Sequence, residues 1–217
     1  MKPYTHCPNC QLSLKPNIFT TISLLASNQT ELINYFLNQN AEAYCQKCVG
    51  TKLDEAFRLY KAEKENTETK LKELISCIPI ITIPSPNWEY DILDIITAQS
   101  VTGTGVMTEL ATSFTDLFGS QSKSFSTIIK TGENICFSQL RKRTLDLGGN
   151  AIIGTDIDYS EVGGTKGMLM VCMAGTAIKI NNLQVLGSTR SQNIKDLTNI
   201  NQQLNNLQKF SNTTNII

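Results

Sequence analysis

The sequence has 217 residues, of which 41% are hydrophobic and 18% charged, enough for one sizeable domain and a small module. Its 19 basic and 19 acidic residues give no net charge, which argues against a strong polyanion as its partner. No apolar run approaches 18 residues and no leader-like segment opens the chain. Seven cysteines, an odd number, suit a reducing compartment. We therefore expect a soluble cytoplasmic protein that makes no membrane contact.

Four of the cysteines form two C-x-x-C pairs, Cys7 with Cys10 and Cys45 with Cys48. Each pair brackets a two-residue turn whose backbone can bring both sulfurs to one point. Four thiolates make the closed tetrahedral cage that Zn²⁺ prefers, with no position left open for a reacting water. This spacing predicts a structural zinc site with all four as ligands, and redox or disulfide chemistry is the alternative.

The predicted zinc module, residues 1–50, lacks the basic face that nucleic-acid-binding fingers need for phosphate contacts. It has three lysines, two glutamates and no arginine, and bound zinc would leave it at about −1. We predict that it binds no nucleic acid. The chain's one histidine, His6, is expected to be an exposed imidazole and not a ligand, so a His-dependent catalytic pair is nearly excluded.

Downstream of the first pair, apolar residues at helical spacing predict a short helix over about 30–37, which would build a local core or dock a partner. A second helix is predicted from Cys48 to about Ile75, polar enough in its middle to be a solvated spacer. The prolines between Pro79 and Pro86 should stop that helix at a domain boundary.

A β-rich body is predicted to follow. It should contain a strand over 90–102, a helix near 106–118, a longer helix over about 125–147 and two strands forming a hairpin, 150–162 and 167–180. The long helix should place one apolar stripe on the sheet, formed by Phe125, Ile129, Cys136, Leu140 and Leu147. It should end at a left-handed glycine cap, Gly148-Gly149. A last amphipathic helix runs through Ile194 to Leu207, and it would zip against another subunit or pack on its own body.

Several segments of this body resemble the YbjQ-like family, which is described as a "putative heavy-metal-binding domain". The two most specific are LGGNAIIGTDIDY at 147–159 and GMLMVCMAGTA at 167–177. Supporting matches are IPIIT at 78–82, AQSVTG at 98–103 and SFTDLFG at 113–119. The resemblance covers about residues 78–180. The cysteine module resembles a treble-clef zinc ribbon.

The resemblance implies a small α+β domain that assembles into a ring, typically a pentamer, with strands of neighbouring subunits joined. It implies no catalytic residue. The sequence departs from the family at Gly132, inside the long helix, and at Gly149, where alanine is usual. Both departures are expected to loosen that helix or its cap.

Other side chains in the body have metal-binding chemistry, but each set has a plainer explanation. Asp156 and Asp158 share one face of a strand, where they would hold a hard cation or keep the sheet soluble. The remaining cysteines and the strand methionines are expected to pack in the core, although soft metals favour such donors. These are Cys77, Cys136, Cys172, Met168, Met170 and Met173. The cluster Arg141-Lys142-Arg143 is expected on a solvated helix face.

The sequence thus predicts an α+β protein with a zinc-ribbon-like module (1–50), a linker helix (51–77), a YbjQ-like ring-forming domain (78–181) and a C-terminal helix and tail (182–217). It favours a non-enzymatic, zinc-containing oligomeric scaffold or adaptor that contacts a protein partner through the zinc module. The alternative is heavy-metal binding, sensing or storage by the body.

Overall fold

The computed structural model describes residues 4–16, 21–102, 121–162 and 168–213. Its elements in chain order are α1 (Ser27–Phe36), α2 (Lys52–Leu74), β1 (Tyr90–Thr102), α3 (Gln121–Asp146), β2 (Ala151–Val162), β3 (Met168–Ile180) and α4 (Ser188–Gln208), with 3-10 turns at Ile75–Cys77 and Leu183–Leu186. The predicted α+β class is confirmed. The helix predicted near 106–118 and the β2–β3 connection lie outside the described residues.

The chain divides into two compact units. The first consists of Met1–Lys70 with Ile200–Ile217, and the second of Leu71–Asn199. The bounds of α2 and α4 therefore fall partly in each unit. The predicted division into four segments, and the ring assembly, stay predictions.

The first unit is built on an apolar core shared by α1, α2 and the end of α4. Leu32 and Ile33 come from α1, Leu53 and Phe57 from α2, and all are at most 8% exposed. Along α2 the buried residues Leu53, Phe57 and Tyr60 recur every three to four residues, as an amphipathic helix requires. The short helix predicted at 30–37 is thus confirmed, and its apolar face lies in a local core.

Three aromatic rings from distant parts of the sequence meet in this core. Phe36 of α1, Tyr60 of α2 and Phe210 beyond α4 have ring centroids 6.0 to 6.2 Å apart. The Phe210 side chain is 1% exposed. The tail residues near 210 therefore belong to the core of the unit that contains the cysteine pairs.

The polar helix begins at Lys52, four residues after Cys48, and not at the cysteine as predicted. Most side chains of its middle are exposed, as expected for a solvated segment. Thr67 is the exception at 2% exposure, and its hydroxyl donates to the Glu63 carbonyl 2.7 Å away. Because this bond within the helix satisfies the hydroxyl, the side chain can be buried without an outside partner.

The second unit centres on a three-stranded antiparallel sheet in the order β1-β3-β2. The register shifts between Ile92 and Asp94 on β1, and between Ile153 and Asp156 on β2, and such bulges bend a strand and increase its twist. The antiparallel pairing of the last two strands confirms the predicted pairing. Beyond the bulges, Ile178 and Ile180 pack with Ala151 and other side chains in a small apolar cluster.

α3 lies across one face of this sheet and buries a stripe with a spacing of four residues. The stripe consists of Ile128, Gly132, Cys136, Leu140 and Thr144. A predicted member, Leu147, lies outside it and is 45% exposed, because the helix ends at Asp146 before the chain turns away. Of the other predicted members, Cys136 and Leu140 belong to the buried stripe, Ile129 is only half-buried, and the side chain of Phe125 lies outside the described part of the structure.

Gly132 does not loosen α3 but lets it approach the sheet closely. A Cβ at this position would lie 2.8 Å from Val171 Cγ2, and Val171 is completely buried. Alanine would remove glycine's cost of about 1 kcal/mol in a helix interior but would overpack the contact with β3. The close packing gives this departure from the family a physical reason.

The turn from α3 into β2 depends on two glycines and an asparagine. Gly148 has a φ of +78°, the predicted left-handed cap. A Cβ on Gly149 would lie 2.9 Å from the Ile178 carbonyl oxygen, so this residue also permits a close approach. The Asn150 side chain accepts from the Ile180 N–H at 2.7 Å and donates to its carbonyl at 3.1 Å. It thereby extends the β2–β3 ladder as a backbone amide would.

The two outer strands of the sheet, β2 and β1, differ in what pairs with their outer edges. The segment near Ile81 runs parallel to β2 and exchanges backbone hydrogen bonds with Ile152 and Thr155. Among the described residues, no strand pairs with the outer edge of β1. The side chains of Gln139 and Arg143 on α3 donate to carbonyls of β1.

Candidate metal centre

The first cysteine pair lies in a tight turn between two extended segments. His6 and Ser13 form an isolated antiparallel bridge, and the Cys7 N–H donates to the Leu12 carbonyl at 2.8 Å. The Gln11 N–H donates back to the Cys7 carbonyl at 2.8 Å, with a φ of +59° at Gln11. These bonds hold the turn so that the sulfurs of Cys7 and Cys10 point to one side.

The second pair lies in a similar turn just before α2. The N–H groups of Cys48 and Val49 both donate to the Cys45 carbonyl, at 3.1 Å each. An isolated bridge between Leu24 and Cys45 fixes the start of the turn. The Cys45 N–H also donates to Cys48 Sγ, 3.3 Å away.

The two turns bring all four predicted ligands together, with their sulfurs within 4.8 Å of one another. Cys7 Sγ lies 3.7 Å from Cys48 Sγ, and Cys10 Sγ lies 3.7 Å from Cys45 Sγ. A tetrahedral Zn²⁺ with Zn–S bonds of about 2.3 Å separates its sulfurs by about 3.8 Å. A disulfide would require about 2.05 Å. The spacing fits four thiolates around one tetrahedral ion, and all four cysteines are free.

The thiols of Cys7 and Cys10 differ in pKa. Burial tends to raise the pKa of Cys7, but the backbone N–H groups of Cys10 and Asn9 and neighbouring thiols outweigh it, and the pKa falls to about 7. At Cys10 a backbone hydrogen bond with Leu12 lowers the pKa, but desolvation and the three other cysteines raise it to about 12. Four adjacent thiols cannot all ionise cheaply without a cation, and a divalent metal supplies that charge.

The environment of the sulfurs adds two features that sequence reasoning missed. The Asn9 side-chain amide donates to Cys48 Sγ at 3.5 Å, and the Cys7 thiol points at the Ala43 carbonyl at 3.9 Å. Asn9 sits between the first two cysteines, so its position was the available signal. Behind the site, Tyr44 is fully buried, and its hydroxyl donates to Asn34 Oδ1 at 3.1 Å. The site is thus joined to the apolar core of the first unit.

The single histidine lies outside the sulfur cluster, as predicted. Its ring is exposed, and Nδ1 lies 3.1 Å from the Thr5 hydroxyl. Over residues 4–16, 21–102, 121–162 and 168–213, the four cysteines are the one group of three or more His, Cys, Asp or Glu side chains close enough to share an ion. Asp156 and Asp158 are exposed, as predicted, and belong to no such group.

The remaining cysteines do not gather at one point. Cys77 and Cys136 are buried, which confirms their predicted packing role, and the Cys136 thiol donates to the Val171 carbonyl at 3.4 Å. Burial is the first cause that raises the pKa of each of these two thiols. Cys172 is only half-buried and shares a strand face with Met168 and Met170, whereas Met173 is 2% exposed on the other face.

The basic cluster on α3 is less solvated than predicted. Arg141 is half-buried and donates from Nε to the Ile78 carbonyl at 3.0 Å. Burial lowers its pKa, and nearby Arg190 adds to that effect. Arg143 reaches the Thr97 carbonyl, and Lys142 pairs with Asp146. The prediction of a solvated face is therefore wrong for Arg141, which is held against the backbone.

Comparison with known proteins finds a family match within the second unit. Residues 80–181 match the YbjQ family model, described as "Putative heavy-metal-binding". The predicted resemblance is confirmed. A similar solved structure is a protein of unknown function from Pediococcus pentosaceus ATCC 25745, assigned to the DUF74 family, with 24% identity and a TM-score of 0.33. That match covers 48% of this chain and 98% of the other.

The YbjQ-like region and the cysteine cluster are separate parts of the sequence, because the four cysteines precede residue 80. The family match therefore does not account for the cluster. No helix in the part of the chain that the structure describes is long and apolar enough to cross a membrane.

Proposed function

We propose that the protein is a non-enzymatic, zinc-containing oligomeric scaffold of the cytoplasm, in which the four-cysteine site (Cys7, Cys10, Cys45 and Cys48) holds Zn²⁺ and fixes the fold of the first unit. The observation that carries the zinc assignment is the mutual approach of four sulfurs within 4.8 Å, with two contacts of 3.7 Å. The two 3.7 Å contacts match the edge of about 3.8 Å in a zinc–thiolate tetrahedron. With four protein ligands the ion has no open position, so it supplies structure and not a reactive water.

Elemental analysis of the purified protein tests the zinc proposal. We expect one zinc per chain in the wild type and none after Cys7, Cys10, Cys45 and Cys48 are all replaced by serine. The matched control replaces Cys77, Cys136 and Cys172 by alanine and should keep its zinc. A wild-type protein purified from zinc-containing medium without stoichiometric metal would refute the proposal.

The oligomeric part of the proposal is supported by the outer edge of β1. Ile92 and Ile95 are each 71% exposed and Val101 is 52% exposed on this long strand. An exposed apolar edge strand is a template for pairing with another chain, and here we assign that role to a second copy. A ring, expected to be a pentamer, would present several zinc modules to a protein partner, so that weak contacts add through avidity.

Size-exclusion chromatography with light scattering tests the assembly. We expect a homo-oligomer at micromolar concentration, and the double substitution of Ile92 and Ile95 by lysine should dissociate it. Val185→Lys is the control, because Val185 is 47% exposed on a 3-10 turn and not on β1. A monomeric wild type would end the scaffold proposal and leave the zinc site standing.

Heavy-metal binding by the YbjQ-like body is the second candidate, favoured by the description of the matched family. Its softest available donors are Cys172 with Met168 and Met170 on one half-buried strand face. Titration of the four-serine variant with Cu⁺ or Cd²⁺ separates the candidates. Tight uptake that Cys172→Ala removes would support the body, and no uptake would exclude it.

A further inference from the structure

The four sulfurs of the four-cysteine site differ sharply in their access to solvent. Cys10 is exposed and Cys48 half-buried, whereas Cys7 and Cys45 are both 0% exposed. A small polar oxidant in solution therefore meets Cys10 first. Outside the cluster, Cys77 and Cys136 are at most 8% exposed and are shielded from the same reagent.

The exposed sulfur has a buried sulfur directly beside it. Cys10 Sγ lies 3.7 Å from Cys45 Sγ, across the two C-x-x-C pairs and not within one. Closing this gap to a disulfide length of about 2.05 Å needs a shift of less than about 2 Å. The two cysteines are separated by 34 intervening residues, so a bond between them would join the two turns that build the site.

We propose that Cys10 and Cys45 form an oxidation site at which hydrogen peroxide converts the zinc-binding cluster into a disulfide-linked, metal-free state. Cys10 is the residue that peroxide oxidises, and Cys45 is the thiol that resolves the product. This inference rests on the proposed zinc site, because the release of metal is one of its consequences.

The chemistry takes two displacements. The Cys10 thiolate attacks one peroxide oxygen, so that an S–O bond forms, the O–O bond breaks and hydroxide leaves. The Cys45 thiolate then attacks the sulfur of the Cys10 sulfenic acid, so that an S–S bond forms, the S–O bond breaks and a second hydroxide leaves. Two sulfurs together lose two electrons, and one peroxide is reduced to two hydroxide ions, which take protons from solvent.

Oxidation removes half of the donor set. A zinc ion left with only Cys7 and Cys48 has lost two of its four thiolates and two negative charges of stabilisation. We therefore expect the ion to leave as the disulfide forms. The new bond would keep the two turns together, and a thiol reductant would restore the site when zinc is present.

The experiment treats the full-length zinc protein with one equivalent of hydrogen peroxide in the presence of a zinc-sensitive dye. Free thiols are then alkylated and counted by intact mass. We expect the count to fall from seven to five, one zinc to be released per chain, and dithiothreitol with added zinc to reverse both changes.

Digestion with trypsin and an enzyme that cuts after glutamate locates the bond. Cleavage after Glu31, Glu42 and Lys47 places Cys45 and Cys48 on different peptides, both separate from the peptide that carries Cys7 and Cys10. Tandem mass spectrometry distinguishes Cys7 from Cys10 within their shared peptide. A Cys10–Cys45 linkage as the first product supports the proposal. Any other bond among the four cysteines as the first product overturns it.

Cys172→Ser is the matched control, since it removes a half-buried thiol outside the cluster. Its zinc release should equal that of the wild type, and its thiol count should fall from six to four. Replacing Cys10 would itself remove a zinc ligand, so the first linkage that forms in the wild type decides the question. A protein that contains zinc but keeps all seven thiols under peroxide contradicts this inference alone, whereas a protein without zinc contradicts the proposed function.

Discussion

The two units of this chain are stabilised by different kinds of interaction. The YbjQ-like unit has a three-stranded sheet covered by the long helix α3. The buried stripe of α3 packs on that sheet. The first unit has two short turns, a ten-residue helix and parts of two longer helices, and it adds the four-cysteine site. Small modules that bury little apolar surface need such a cross-link. We therefore expect metal dependence to be confined to the first unit.

The largest predicted effect comes from breaking the four-cysteine site. Cys45→Ser should release the metal and unfold the first unit, because structural zinc contributes on the order of 10 kcal/mol of binding free energy to such modules. Limited proteolysis should cut within residues 1–50 while the YbjQ-like unit resists. The same pattern should appear when a chelator strips the wild type. An intact first unit in the metal-free variant would show that its apolar core suffices.

A smaller loss of stability is expected when one ring is removed from the aromatic cluster of the first unit. Phe210→Ala removes a ring that is 1% exposed and should destabilise that unit by about 3–5 kcal/mol. Tyr35→Ala changes a neighbouring ring that is 46% exposed and should cost clearly less. Chemical denaturation followed by tyrosine fluorescence of zinc-loaded protein measures both. Equal losses would contradict the predicted core.

In the YbjQ-like unit, the sharpest test concerns the two glycines after α3. Gly149→Ala would place a methyl group 2.9 Å from the Ile178 carbonyl oxygen and should cost about 1–3 kcal/mol through overpacking. Gly148→Ala meets open space but keeps a φ of +78°, so it should cost about 1 kcal/mol. Thermal unfolding measures the order of the two losses. A neutral Gly149→Ala would mean that the turn relaxes freely.

The smallest effect is expected at the surface of α3. Lys142 and Asp146 form an ion pair one helical turn apart, with side chains 41% and 49% exposed. Such exposed pairs contribute about 0.3–0.5 kcal/mol. Lys142→Ala should therefore shift the thermal midpoint by only a degree or two at low salt and less at high salt. A large shift would indicate that this face is covered in the assembled protein.

The sequence predicted what depends on local spacing. Two C-x-x-C pairs indicated four ligands that the fold brings together, and the alternation after residue 150 indicated the β2–β3 pairing. It did not predict contacts between distant segments. Nothing in the local pattern around Phe210 shows that it joins α1 and α2, and Arg141 looked solvated because its acceptor, the Ile78 carbonyl, lies 63 residues away.

The predicted effect of Gly132 and Gly149 was also wrong, because it depends on contacts with a distant strand. Gly132 and Gly149 looked like defects because helix propensity describes an isolated segment. In the fold both lie against β3, where a side chain would collide with Val171 or with the Ile178 carbonyl. Close packing against β3 favours glycine at both positions. Helix propensity alone would predict that alanine stabilises the protein there, whereas the packing predicts that alanine destabilises it.

The position of Phe210 in the core of the first unit also affects the order of events during synthesis. The ribosome makes the cysteine turns, α1 and most of α2 first, but the ring that completes their core emerges on the order of ten seconds later. During that interval the nascent chain would expose the apolar side chains that Phe210 later covers. Early capture of zinc would hold the turns in place while the remainder of the polypeptide is translated.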